Sequence, residues 1–269
     1  MRSLATRRVV ELRRTGAGRV ATAAWQLRAL SAAIVAAWLV AAGAQLSGHA
    51  TLLHHHTLIE GGSPLRVALP FFLLGWQVMI AAMMLPASLP SIGVFNAGLA
   101  RPEGRRRGMA AFLASYALVW SLFGLVAFLG DDVLHHIVDA TPWLAARPWL
   151  IEAAVVAIAG AYQLTPLKRR WLAACRHPAA LLSSDATALH RARWVGLDHA
   201  LACLGSSWAL MLLMFAEGFA NLWWMVALTA VMVYETTGRN GQWVATTIGI
   251  ALLVFGAVLL VAMGIGPGL

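Results

Sequence analysis

Charge is what this sequence has least of. Only 12% of its 269 residues are charged, while 60% are hydrophobic. Soluble domains carry about 25% charged residues, so lipid, not water, is the solvent this composition suits. Lysine is nearly missing: of 20 basic residues all but Lys168 are arginine, a bias that carries no mechanism. Cys175 and Cys203 are the only cysteines. They are too few for a disulfide framework, and both fall in segments read below as cytoplasmic, where free thiols are the default. No glycine-rich phosphate loop, zinc-protease helix or nucleophile elbow occurs. No charge sits at the centre of an apolar run, which argues against a mid-membrane proton relay. No catalytic residue stands out, and whether the chain is an enzyme is left open.

What is there is a series of apolar runs. A bilayer core of roughly 30 Å takes about 20 apolar residues per helix. On that measure the fold class is all-α, a polytopic transmembrane bundle of about seven helices. The expected spans are 29–46, 67–87, 108–129, 149–167, 199–216, 219–234 and 243–265. They form one multi-pass domain, 29–269, behind a basic segment, 1–28. Ala42-Gly43-Ala44 resembles a signal-peptide cleavage site, which would leave six helices, but the basic leader is long for one and an anchor is expected. Charge-free sequence runs from Arg66 to Arg101 and holds Pro70, Pro86 and Pro90. A kink near Pro86 and an interfacial piece ending at Leu99 are expected.

Eighteen of the 20 basic residues cluster in alternate connecting segments, and only Arg66 and Arg147 fall in the others. The positive-inside rule then puts the N-terminus in the cytoplasm and the C-terminus outside. The expected setting is a bacterial plasma (inner) membrane. The net charge of +9 does not point to nucleic acid, because the arginines lie in short loops between apolar runs. The partners expected are the lipid bilayer and a protein, membrane-bound or soluble.

Three patches carry candidate chemistry. In the second span, Met79 and Met83 share a helix face and Met84 turns away from it. Thioethers suit Cu(I), although methionine also packs irregular gaps beside a proline. In the fifth span, His199, Cys203 and Ser206 or Ser207 share a face. Imidazole and thiolate at that spacing can bind one ion, and a small-residue helix seam accounts for the same pattern. The third patch runs from Tyr162 through Gln163, Thr165 and Pro166 to Lys168, Arg169 and Arg170, with Cys175 and His177 beyond. Lys168–Arg170 read as headgroup contacts at a helix end, while Cys175 and Gln163 stay open as a ligand and its polar partner. Topology sets Met83, Met84, Gln163, Cys175, His199, Cys203 and Glu235 at one depth toward the cytoplasm. On the outward side His54, His55, His56, Asp132, His135 and His136 can collect cations, or are simply solvated loops.

At these patches the chain resembles a bacterial family of predicted metal-binding integral membrane proteins, a multi-pass domain of largely undefined function. The matching pieces are Ala81-Ala82-Met83-Met84-Leu85-Pro86, Tyr162-Gln163-Leu164-Thr165-Pro166-Leu167-Lys168, Cys175-Arg176, and His199 to Met211 with Gly205 and Trp208. The resemblance covers roughly 69–234. Members often carry a cysteine pair where this chain has Ser206 and Ser207, and another cysteine at Trp171. The resemblance implies a metal site, with copper the expected ion and other transition metals open. On this reading Met79, Met83, Met84, Cys175, His199 and Cys203 hold the ion, and Gln163, Ser206, Ser207 and Glu235 support it. The competing reading is a non-catalytic anchor or assembly subunit of an oxidoreductase or other membrane complex.

Overall fold

The computed structural model describes residues 25–47, 65–99, 102–176, 189–216 and 221–265. Every element among them is helical. The helices are α1 (Trp25–Leu46), α2 (Leu65–Gly98), α3 (Pro102–Asp139), α4 (Pro142–Ala145), α5 (Trp149–Leu164), α6 (Pro166–Arg176), α7 (Leu189–Ala216), α8 (Leu222–Thr237) and α9 (Gly241–Ile265). Five of them, α1, α2, α3, α7 and α9, are long and apolar enough to cross a membrane. The α5–α6 pair passes the same test together but is bent by 66°.

Several expected spans differ from the helices that form. The expected span 149–167 is two helices, because Thr165 breaks the first at an extended ψ of 149°. Its hydroxyl donates to the Tyr162 carbonyl (2.7 Å) and accepts from the Lys168 backbone N–H (3.1 Å), so it ends α5 and caps α6. Pro166 then suits the first position of α6, where no N–H is needed. The span expected at 219–234 is α8, whose 16 residues reach about 24 Å, short of a bilayer core of about 30 Å. The connection left between the expected spans 149–167 and 199–216 shortens from both ends, since α6 continues to Arg176 and α7 starts at Leu189.

The second apolar run, expected to kink near Pro86 and end at Leu99, is α2, one helix of 34 residues that passes through Pro70, Pro86 and Pro90 to Gly98. Pro86 has no N–H for the carbonyl four residues before it, that of Ala82. Trp38 on α1 supplies the missing donor: its Nε1 reaches the Ala82 oxygen at 2.9 Å. The freed carbonyl is thus satisfied by a neighbouring helix, which lets a proline persist inside apolar surroundings.

Side chains also tie α2 to α3. Trp76 Nε1 donates to the Trp120 carbonyl (2.8 Å), and Gln77 Nε2 donates to Ser121 Oγ (2.7 Å). On the far side α5 meets α9 at Gly160 and Gly249. A Cβ added at Gly160 would lie 2.9 Å from the Gly249 carbonyl oxygen. Such small-residue seams let helices approach where the solvent gives no hydrophobic drive. Helix α7 is the hub: α3, α5, α6 and α8 all pack on it.

Candidate metal centre

The site is built around Cys203, a buried residue in the middle of α7. Ser88 on α2 lies 3.8 Å from its sulfur, and Tyr116 Oη on α3 lies 3.2 Å from it. Ser88 and Tyr116 are themselves 3.2 Å apart. On α7, Ser206 and Ser207 both turn back to donate to the Cys203 carbonyl at 2.8 Å. That leaves the Cys203 sulfur as the soft atom at the centre of a small polar knot. Ser207 also donates to Met84 Sδ at 3.6 Å, bringing a thioether from α2 to the same place.

Cys175 enters from α6. Its thiol interacts with that of Cys203 and with Ser206, and its carbonyl accepts from Ser91 Oγ on α2 at 3.5 Å. Both cysteines are buried and free. His199 sits one turn before Cys203, its ring stacked against Phe112 and Tyr116 at 5.7 and 6.0 Å. It is only 5% exposed, and among the described residues its Nε2 has no hydrogen-bond partner. A buried imidazole nitrogen left unpaired is costly and is free to act as a ligand.

Directly behind this knot lies a buried ion pair. Lys168 Nζ meets Glu235 Oε2 at 2.6 Å, with side-chain exposures of 0% and 2%. Gln163 Nε2 donates to the other carboxylate oxygen at 2.7 Å. Lys168 also donates to the Ser206 carbonyl, which links the pair to the serine beside Cys175. Arg176 closes the end of α8, donating to the Glu235 and Gly238 carbonyls at 2.8 and 2.5 Å. A cation at exposed C-terminal carbonyls is favourable. Lys168 is therefore not a headgroup lysine. Thr165 and Pro166 turn α6 back beneath the bundle, and the side chain goes inward with it.

Of the residues singled out from sequence, Met84, Cys175, His199, Cys203, Ser206 and Ser207 come together, with Gln163 and Glu235 one layer behind. Met79 and Met83 are buried in the same core, 3% and 0% exposed, nearer the start of α2. Tyr116 and Ser88 were missed, though each left a signal: Ser88 is one turn from Met84, and Tyr116 is one of only three tyrosines. Trp171, where relatives of the resembled family often carry cysteine, packs on Gly205; a Cβ there would lie 2.5 Å from its ring.

His54, His55 and His56 lie outside the described residues, as does His177. Asp132 is half-buried and His136 exposed on α3. His135 pairs with Asp131, Nδ1 to Oδ2, at 3.4 Å. Among the described residues no three His, Cys, Asp or Glu side chains gather closely enough to hold an ion. A metal at the knot therefore needs thioether as well as thiolate. That donor chemistry fits Cu(I) and fits zinc poorly, since zinc sites are built from His, Cys and carboxylates.

Fold and site together define an all-helical protein whose long apolar helices enclose a seam of sulfur and hydroxyl groups. Residues 73–259 match the PpoB2 family, described as a copper chaperone. The chain belongs to that family, and its copper association carries the metal-related resemblance read from the sequence. No curated protein and no solved structure matches the chain.

Proposed function

We propose that this chain is a membrane protein that binds Cu(I) as cargo and passes it to an acceptor. The two thiols, Cys175 and Cys203, are the principal ligands, with Met84 as a soft third donor. His199 stands one turn away as an exchange ligand, and Met79 and Met83 extend the thioether lining along α2. The observation that carries this reading is that Cys175 from α6 interacts with Cys203 on α7, while Met84 from α2 is held by Ser207, one turn along α7 from Cys203. Soft sulfur donors favour Cu(I), and the family description supports copper as the ion.

The supporting residues do defined work. Ser206 and Ser207 hold the Cys203 carbonyl and leave its sulfur exposed to the seam. Lys168 keeps a positive charge behind a pair of groups that become negative when they bind metal. Glu235 and Gln163 fix that lysine in place. The domain is a multi-pass unit in a bacterial plasma membrane, its N-terminus and basic loops in the cytoplasm and the copper seam toward that face. The charge asymmetry of the connecting segments supports this topology. The acceptor is a protein, membrane-bound or soluble.

The test is copper content. Protein purified after copper loading under reducing conditions is expected to carry near-stoichiometric copper by elemental analysis. Cys175→Ser with Cys203→Ser should remove it, and His199→Ala with Cys203→Ser should do the same. Unchanged copper in either double variant, with the protein still folded, would sink the assignment.

A further inference from the structure

Methionine is sorted inward in this bundle. Met79, Met83 and Met84 of α2, Met211 and Met214 of α7, and Met225 and Met232 of α8 all belong to one buried core. None of them is more than 3% exposed. The outer surface is built differently. Its large apolar side chains are valine, leucine, isoleucine and aromatics, and among the described residues Met263 is the only methionine exposed there. In lipid both sides of a helix meet apolar surroundings, so a side chain chosen only for apolar bulk has no reason to prefer the inside. Gap filling accounts for methionine beside one proline, but not for a series shared among three helices.

Side-chain contacts fix how the three helices stand against one another. Ser88 lies beside Cys203 and Met84 beside Ser207, so α2 and α7 run antiparallel in a single register. Lys168 sets the level of α8, since it holds both the Ser206 carbonyl and the Glu235 carboxylate. The break between Ala216 and Leu222 falls about midway between those two residues, as an antiparallel hairpin requires. At a rise of about 1.5 Å per residue, Met84 then stands about 6 Å beyond Cys203, and Met83 and Met232 about 8–9 Å. Met211 and Met79 follow at about 12–14 Å, Met214 at about 17 Å and Met225 at about 20 Å. The series covers about two-thirds of a hydrocarbon core of roughly 30 Å, with no gap in depth above about 6 Å. On α7 it keeps to one face: Cys203, Ser207, Met211 and Met214 are spaced by four, four and three residues.

We propose that these methionines form a conduction path for Cu(I), carrying the ion between the cysteine seam and the outward end of the bundle. The proposal rests on the copper reading above and adds a route to it. Thioethers are neutral, soft donors that suit Cu(I) and bind harder cations poorly. An ion passed among them keeps a partner throughout a region where a bare charge is costly. Each step exchanges one thioether for the next, and no electron or proton is transferred. Leucine at the same positions would fill the same space and offer the ion nothing.

The experiment uses the full chain in phospholipid vesicles, with Cu(I) supplied outside under ascorbate and a membrane-impermeant Cu(I)-chelating dye trapped inside. Wild-type vesicles are expected to fill the dye faster than protein-free vesicles, and to pass no zinc to a trapped zinc dye. Met214→Leu with Met225→Leu keeps the apolar volume but removes two donors, and should slow the flux about tenfold. Copper bound per chain should stay at the wild-type level in that variant, because the cysteine seam is intact. Met214→Leu alone should slow the flux less, and it decides the matter if the double variant fails to fold. Bound copper with flux no faster than in protein-free vesicles, equal passage of zinc, or unchanged flux in the leucine variants would overturn the path and leave the copper seam standing. Flux without bound copper would support the path and count against the seam. Neither flux nor bound copper in the wild type would overturn both.

Discussion

Helices α7 and α9 are both apolar enough to cross a membrane, yet they do opposite work. Of the apolar stretch of α7, 61% is buried inside the protein; for α9 the share is 17%. Helix α9 is the purer hydrophobic segment, and its side chains Val254, Val258 and Val261 point outward. Helix α7 mixes His199, Cys203, Ser206 and Ser207 into its apolar sequence and keeps them all inside. In lipid a polar side chain must turn toward protein, so the less apolar helix becomes the centre. Chemistry gathers on α7 for the same reason that α9 carries none.

The comparison can be broken most sharply at the buried ion pair that backs α7. Lys168→Met alone leaves the Glu235 carboxylate buried and unpaired, and should cost about 3–5 kcal/mol. The loss would appear as a sharp fall in thermal stability in detergent. Lys168→Met with Glu235→Met should recover most of that stability, since replacing both partners by apolar groups is often neutral. A double variant no better than the single one would mean that the pair is not the stabilising unit. Next in size is Trp38→Phe, which removes the donor to the Ala82 carbonyl. Leaving a buried acceptor unmet should cost about 1–3 kcal/mol, measurable as a lower unfolding midpoint. Ser206→Cys sharpens the comparison from the functional side. It adds a thiol at the knot and should slow the loss of copper to a soluble chelator; unchanged loss would place the ion away from Ser206. The smallest effect belongs to α9, where Val258→Ala on the lipid-facing side should shift stability by less than about 0.5 kcal/mol.

Periodicity and length made the all-α class legible, because apolar runs of that length have few other uses. Boundaries were less so. Helix α3 runs to Asp139, ten residues past the expected end, since nothing breaks a helix before Thr141-Pro142. The α5–α6 break was visible as Thr165-Pro166, but its consequence was not: a bend of 66° sends Lys168 inward. No sequence pattern distinguishes a lysine at the headgroups from one folded back under its own helix. The site was half legible. The residue types at Met84, Cys175, His199 and Cys203 announced themselves by chemistry, while Tyr116 and Ser88 became visible only when α2 and α3 were set beside α7.

The hydrogen bond from Trp38 to the Ala82 carbonyl bears on how the protein is made. Helix α1 precedes α2 in the chain and has little packing of its own, with 11% of its apolar stretch buried. It nevertheless supplies a donor that completes α2 next to Met83 and Met84. A protease cutting at Ala42–Ala44 and carrying Trp38 away would strip the donor from the Ala82 carbonyl on α2. Helix α1 thus contributes a contact to the bundle that its own apolar sequence does not announce, one made by a single indole N–H across to α2.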